Sequence, residues 1–196
     1  MKGFVIGNGE SRKDFDFNKL KYQGKIYGCN ALYRDFTPDT LVVVDTGMVR
    51  EITTSDYKGE VVYYDRKIKK LRMHGKYIFT FDYRGWAAGP TATWLLCTRM
   101  YHHVHDIYLL GFDFYSKNDK INNIYKDTEC YRKVTDMSVL PTNWIMQFKQ
   151  IFSEFRRKNF YRVQHKETDF HVPEFDLHKN YKTITYTEML RILGGH

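Results

Sequence analysis

The chain has few cysteines and no long apolar run, and these absences exclude several classes of protein. Its three cysteines, Cys29, Cys97 and Cys130, lie far apart and form no C-x-x-C pair, which argues against a disulfide framework or a zinc ribbon. No run of about 18 apolar residues is present, and the N-terminus lacks the layout of a signal peptide. We therefore expect a soluble, cytoplasmic protein in which Cys29 and Cys97 are inert core thiols.

The short motifs of common catalytic and nucleic-acid-binding sites are also missing. There is no P-loop, no G-x-G-x-x-G fingerprint and no serine or cysteine elbow with a paired histidine. No zinc-finger or RRM signature is present. His102, His103 and His105 are too close together for a site on one helix face, so no metal centre is predicted.

Basic and aromatic residues are plentiful. The net charge is +8, and the clearest basic run is Arg66–Arg72. Such a run indicates either a solvated surface or a surface for an anionic partner, such as a nucleotide, a nucleic acid or an acidic glycan. Aromatic residues make up 17% of the chain, with 16 tyrosines, and we expect many tyrosines to lie at the core edge or to line a cleft.

Short apolar runs recur at the spacing of alternating strands and helices. Their Val, Ile and Tyr content is typical of strands covered on both faces. Helical patterns occupy 90–101, 142–158 and 187–193, with Thr142 or Asn143 as the expected cap of the second. The pattern predicts one α/β domain over 1–196, a Rossmann-like fold with a mostly parallel twisted sheet flanked by helices. The predicted strands are 4–6, 25–28, 41–44, 61–64, 77–80, 107–110 and 160–163.

Three segments show no sustained period. Residues 66–76 are basic, 116–141 are polar and 165–181 mix charge with histidine and phenylalanine. We predict that 116–141 forms a lid loop and that 165–196 is a C-terminal extension, because long loops within compact domains are often functional.

The most informative motif is Gly7-Asn8-Gly9-Glu10-Ser11, directly after the first apolar run. Gly7 and Gly9 are expected to allow positive φ and a close approach of ligand to backbone. Ser11 is expected to cap a helix whose N-terminus would face a phosphate or carboxylate. A tight turn without a ligand is the alternative interpretation.

Polar or small residues follow five of the seven predicted strands at their carboxyl ends. Because these ends share one edge of a parallel sheet, we expect a site for a polar ligand there. Each residue alone could instead be a cap. The residues are Asn8, Asn30, Asp45, Gly89, Asp113 and Tyr115.

The motif Gly-Asn-Gly-x-Ser, a Cys-Asn about twenty residues later and the block Ile-Tyr-Leu-x-Gly-x-Asp-Phe-Tyr together resemble the Rossmann-like bacterial sialyltransferases and their phage-encoded relatives. The resemblance covers roughly 1–45 and 84–116. It implies transfer of sugar from a CMP-sugar donor to an acceptor without a cofactor, and host cytoplasm as the location of a phage-encoded member.

By this resemblance, individual residues acquire expected roles. Asn8 and Asn30 would contact the cytidine nucleotide, and Ala88 and Gly89 would form the turn against the donor. Tyr115 would bind the phosphate, Tyr125 would be a second phosphate-facing phenol, and Arg84 would be a donor-side arginine.

The chain departs from the family at the general base. The family places a histidine in the loop beyond Asp-Phe-Tyr, whereas residues 116–164 contain none. His165, His171 and His178 lie later in the chain, and one of them could reach the cleft. The catalytic candidates near the sheet edge are Asp45 and Asp113. Asp113 could instead be a structural hydrogen-bond acceptor.

Three functions remain open at this point. The first is glycosyl transfer from a nucleotide-activated sugar, CMP-sugar favoured, to an acceptor such as an anionic glycan or nucleic acid. The second is Mg²⁺-dependent phosphoryl or pyrophosphoryl transfer, in which Asp45 and Asp113 would be indispensable. The third is a catalytically inactive module that binds a nucleotide, a nucleic acid or a protein.

Overall fold

The chain folds around a mostly parallel sheet. In the computed structural model, residues 1–74, 80–116, 118–165 and 170–194 are described, and within them nine strands and four helices form a Rossmann-like α/β fold, as predicted. The strands are β1 (Lys2–Ile6), β2 (Gly24–Cys29), β3 (Thr40–Val43), β4 (Val61–Asp65), β5 (Lys70–His74), β6 (Thr80–Asp82), β7 (Asp106–Leu110), β8 (Asn159–Gln164) and β9 (Tyr181–Thr185). The helices are α1 (Thr46–Thr54), α2 (Ala88–Arg99), α3 (Thr142–Glu154) and α4 (Tyr186–Gly194).

The strand order creates a switch point beside β1. Across the sheet the order is β6-β5-β4-β3-β2-β1-β7-β8-β9, parallel except for the two pairs that β5 makes. The chain therefore runs outward from β1 to β6, crosses back through α2 and continues outward on the other side from β7. In parallel α/β sheets, ligands bind at the carboxyl edge where the order reverses, which here lies between β1 and β7.

Both faces of the sheet are covered, which explains the continuous apolar runs. On one face, Val5 and Leu109 belong to a core with Leu95 of α2 and Phe148 of α3. On the other face, Phe4 and Tyr108 stack with ring centroids 5.3 Å apart. Their core includes Met48 of α1 and Met189 of α4. Alternate residues of one strand thus enter opposite cores.

The structure confirms the three predicted helices and corrects several local expectations. Within the described residues, segment 66–76 contains strand β5 rather than only a loop, and β9 lies in the predicted C-terminal extension. Of the predicted strand 77–80, residues 77–79 lie outside the described residues and Thr80 begins β6. Helix α1 was not predicted. Pro141, not Thr142 or Asn143, is the N-cap residue of α3, and it has no side-chain cap bond.

Candidate functional site

A cleft opens at the carboxyl edge of the sheet, at the switch point between β1 and β7. Its volume is about 740 Å³ including the open mouth. One wall comes from the ends of β1, β2 and β7, and the other from the N-terminus of α2, the start of α3 and loop 116–141. The lining residues from the predicted site are Gly7, Asn8, Gly9, Asn30, Ala88, Gly89 and Asp113.

The glycines of the first motif bring two chain segments together. The backbone N–H groups of Gly7 and Gly9 donate to the carbonyls of Leu110 and Gly111 at 2.8 and 2.9 Å. A Cβ on Gly9 would lie 2.6 Å from the Asp113 carboxylate. Neither Gly7 nor Gly9 has the expected positive φ, since Gly9 has φ −67° and the left-handed glycine at this junction is Gly111, at φ +71°. The absence of a side chain at Gly7 and Gly9 therefore allows the segment after β1 to lie in contact with the segment after β7.

The expected capping role of Ser11 is also wrong. Ser11 lies inside a single 3₁₀ turn, Glu10–Arg12, and is 1% exposed. Its hydroxyl and its backbone N–H both donate to the carboxylate of Asp113, the N–H at 3.0 Å. The Gln164 amide donates to the same carboxylate at 3.2 Å. Asp113 thereby links β1, β7 and β8 at the base of the cleft.

Asn8 is held by loop 116–141. Its backbone carbonyl accepts the N–H of Ile124 at 3.0 Å, and its amide nitrogen donates to the Tyr131 hydroxyl at 3.0 Å. The same hydroxyl accepts the N–H of Ala31 at 3.3 Å. The amide oxygen of Asn8 is buried and has no hydrogen-bond partner in the described part of the chain. The loop thus fixes the amide plane while leaving one acceptor unused.

Asn30 presents a second unused acceptor. It follows β2 in the left-handed region, at φ +53°, a conformation that asparagine tolerates better than most residues. Its amide nitrogen donates to the exposed carboxylate of Asp45 at 3.1 Å. Its amide oxygen is buried and, within the described residues, unpaired. Each such oxygen costs about 1–3 kcal/mol unless a bonding partner arrives.

The N-terminus of α2 supplies positive potential without a charged side chain. Ala88, Gly89 and Pro90 form its first turn, where the backbone N–H groups of Ala88 and Gly89 have no partner inside the helix and Pro90 has no N–H. The Gln147 side chain of α3 accepts the N–H of Ala87 at 3.1 Å and orients this end. A Cβ on Gly89 would lie 2.7 Å from the Phe112 ring, so α2 approaches β7 closely. An anion in the cleft would face this turn.

Besides Ser11, three further predicted binding residues lie away from the cleft lining. The guanidinium of Arg84 pairs with Glu154 at 2.7 Å and lies over Trp94. The Tyr125 hydroxyl is buried, donates to Asp35 at 2.5 Å and accepts from Arg12 at 2.7 Å. Tyr115 lies outside the lining as well. Burial raises the pKa of its phenol, and the charge of the nearby Glu174 adds to this effect.

The histidines considered as bases are also elsewhere. The exposed His165 ring packs on Tyr186, with centroids 4.7 Å apart. His171 contacts Asp176 at 3.1 Å, and His178 packs on Phe152. None of the three is among the described residues that line the cleft. Asp45 is not among the lining residues either, but its bond with Asn30, which does line the cleft, places it at the cleft rim.

Sequence reasoning missed much of the lining. Apart from Cys29 at the end of β2, the unpredicted members come from loop 116–141, α3 and the segment after β7, and their only sequence signal is their position after β7. Aromatic rings predominate among them, with Trp144 37% exposed. The main ones are Cys29, Phe112, Phe114, Asn122, Asn123, Trp144 and Phe148.

Cys29 at the cleft base provides a test of this packing. Burial raises the pKa of its thiol to about 12, and its Sγ donates to the Ile6 carbonyl at 3.2 Å. At pH 8 we expect iodoacetamide to modify exposed Cys130 in the native protein, whereas buried Cys29 and Cys97 react only after unfolding. Peptide mass spectrometry over time measures this order. Labelling of Cys29 as fast as Cys130 would contradict the buried cleft base.

Charge in the cleft is sparse. Among the described residues that line it, there is no lysine, arginine or histidine, and Asp113 is the one charged side chain. No group of three His, Cys, Asp or Glu residues in the described ranges is arranged to hold a metal ion. No helix within those ranges is long and apolar enough to cross a bilayer.

Comparison of the chain with protein-family models, with curated proteins and with solved structures gave no match.

Proposed function

We propose that the cleft binds a nucleotide-activated sugar and that the protein transfers this sugar to an acceptor hydroxyl. The observation that carries the proposal is the pair of buried, unpaired amide oxygens on Asn8 and Asn30, which follow neighbouring strands of the cleft wall. A nucleoside offers matching donors in its base amine and ribose hydroxyls.

The charge of the cleft favours a nucleoside monophosphate sugar. A pyrophosphate normally needs a metal ion or basic side chains, and no basic side chain lies among the described lining residues. The first turn of α2 can stabilise a single phosphodiester through its N–H groups and dipole. A CMP-sugar has that single phosphodiester, in keeping with the resemblance of the two sequence blocks.

The transfer step uses few groups. The acceptor oxygen forms a bond to the anomeric carbon while the bond from that carbon to the phosphate oxygen breaks. The nucleoside monophosphate leaves with the electron pair, and the first turn of α2 stabilises its charge. The acceptor proton passes to Asp45, the rim carboxylate that Asn30 holds at 3.1 Å. Asp113 has a positioning role, because its oxygens already accept from Ser11 and Gln164.

Asn30→Gly tests the nucleoside contact. Glycine tolerates φ +53°, so the change removes the amide without backbone strain. We expect CMP binding, measured by titration calorimetry, to weaken about tenfold, or ~1.4 kcal/mol. Asp14→Gly is the matched control, since exposed Asp14 has φ +68° and lies outside the cleft lining.

Two results would contradict the proposal. One is equal affinity of wild type and Asn30→Gly for CMP. The other is the absence of thermal stabilisation by CMP, since a ligand at a hundred times its dissociation constant adds about 2.7 kcal/mol. Stabilisation by another nucleotide only with Mg²⁺ would favour phosphoryl transfer instead.

With a CMP-sugar donor, Asp45→Ala is expected to lower kcat while CMP affinity is retained.

A further inference from the structure

The hairpin between β4 and β5 carries cations that form no ion pair with a carboxylate in the described part of the chain. Arg66, Lys67 and Lys69, here called the basic tip, are exposed, and none of them forms an ion pair within the described residues. The flanking cations differ, because Lys70 pairs with Asp82 at 3.4 Å and Arg72 pairs with Asp65 at 2.9 Å. Three unpaired cations within four residues attract an anion.

The strand register places the basic tip at the same edge as the cleft. β3 ends at Val43, which is level with Tyr63, and β4 continues two residues further to Asp65 before the turn. The tip therefore projects past the carboxyl edge of the sheet. β4 is two strands from β2, whose end carries Asn30, and this corresponds to about 10 Å across the sheet.

A pair of tyrosines connects the basic tip with the segment before α2. Tyr64, next to the tip, and Tyr83, after β6, pack against each other with ring centroids 4.2 Å apart and ring planes tilted by 35°, and both are partly buried. Tyr83 donates to the Trp86 carbonyl at 2.7 Å, just before α2 begins. Burial raises the Tyr83 pKa, and the charge of Asp45 adds to the effect. The contacts from Tyr64 to Tyr83 and from Tyr83 to Trp86 thus link the tip to the segment that leads into α2.

We propose that the basic tip and the Tyr64–Tyr83 pair form the docking surface for the acceptor, an anionic oligosaccharide whose reacting hydroxyl reaches Asp45. This assignment rests on the proposed function. The tip binds carboxylates of the chain, the exposed edges of the tyrosine pair contact its sugars, and the end residue enters the cleft rim. Single-stranded nucleic acid fits less well, because it stacks its bases on open ring faces and both of these rings are partly buried against the core.

The test compares three probes on wild-type protein and two triple variants. The probes are a fluorescent galacturonate hexamer, neutral maltohexaose and a ten-nucleotide oligothymidylate. The tip variant is Arg66→Gln, Lys67→Gln and Lys69→Asn, with asparagine chosen for the φ of +55° at that position. The control variant removes the same charge from the far side of the sheet by Lys179→Gln, Lys182→Gln and Arg191→Gln.

We expect wild type and control to bind the galacturonate hexamer, and the tip variant to bind it about tenfold more weakly, with a reduced salt dependence. Maltohexaose should not bind measurably. Equal hexamer binding by wild type and tip variant would overturn the proposal. Tighter binding of the oligothymidylate with the same loss in the tip variant would also overturn it, in favour of nucleic acid.

CMP affinity separates this proposal from the proposed function. The tip variant leaves the cleft intact, so its affinity for CMP should equal that of wild type. If wild type binds the hexamer at the tip but does not bind CMP, the proposed function fails while the anion-docking surface stands. If CMP binds and the hexamer does not, the docking surface fails alone.

Discussion

Replacing Asp113 with alanine is expected to lower the free energy of unfolding by about 3 kcal/mol or more, because buried donors lose a charged acceptor. Asp113 is 6% exposed and accepts the backbone N–H of Ser11, its hydroxyl and the amide of Gln164. In Asp113→Ala these groups remain buried without their partner. For a chain of this size the loss corresponds to a fall of about 6–12 °C in the midpoint of thermal unfolding.

Asp45→Ala is the control for this prediction. Asp45 is exposed and its carboxylate has one described hydrogen bond, from Asn30, so loss of the carboxylate should change the unfolding free energy by about 0.5 kcal/mol or less. Urea unfolding followed by circular dichroism measures both variants. Sequence reasoning proposed both carboxylates as catalytic, but their replacement should have different effects on the free energy of unfolding. An Asp113→Ala protein with wild-type stability and no turnover would assign Asp113 to catalysis instead.

The sheet and the first wall of the cleft could be predicted because both depend on local pattern. Strands buried on both faces are nearly continuous apolar runs, and Phe4, Val5 and Ile6 illustrate this with 0% exposure each. Once parallel strands are inferred, their carboxyl ends must meet at one edge. That geometry brought Asn8 and Asn30 together without any knowledge of distant contacts.

Strands β5 and β9 were not predicted because their sequence patterns are compatible with both a strand and a loop. In β5, Leu71 is 1% exposed while Lys70 and Arg72 form ion pairs with neighbouring segments. Alternation of cation and apolar residue is the period of a strand with one polar face, yet the high charge indicated a loop. β9 is an edge strand with polar residues such as Lys182 and Thr183 exposed, and its signal is equally weak.

The second wall of the cleft depends on contacts between residues far apart in sequence. The Tyr131 hydroxyl meets Asn8 and Ala31, and the Tyr125 hydroxyl meets Arg12. About one hundred residues separate the partners, so no window of sequence contains both. The resemblance suggested that Tyr125 binds phosphate. Its buried hydroxyl instead bonds to Arg12, in the 3₁₀ turn after β1, and to Asp35, in the segment after β2, and so fixes loop 116–141 to both.

Gly7→Ala is the second large expected effect, because the switch point has no room for a methyl group. A Cβ on Gly7 would lie 2.5 Å from the carbonyl oxygen of Gly111 and 3.3 Å from the Phe112 ring. The obstructing oxygen belongs to backbone, and Gly111 is itself fixed at φ +71°. Strands β1 and β7 must move apart, at a cost of about 3 kcal/mol in the free energy of unfolding.

The control is Gly194→Ala, where a Cβ meets nothing within 4 Å in helix α4 and should leave stability unchanged or slightly raised. Urea unfolding of both variants distinguishes two reasons for a glycine at position 7. If the glycine serves the contact between β1 and β7, Gly7→Ala loses stability whether or not nucleotide is present. If it serves ligand approach, the variant keeps wild-type stability and loses CMP affinity alone. The 2.8 Å bond from the Gly7 N–H to the Leu110 carbonyl favours the first outcome, because it holds the two strand ends at their closest separation.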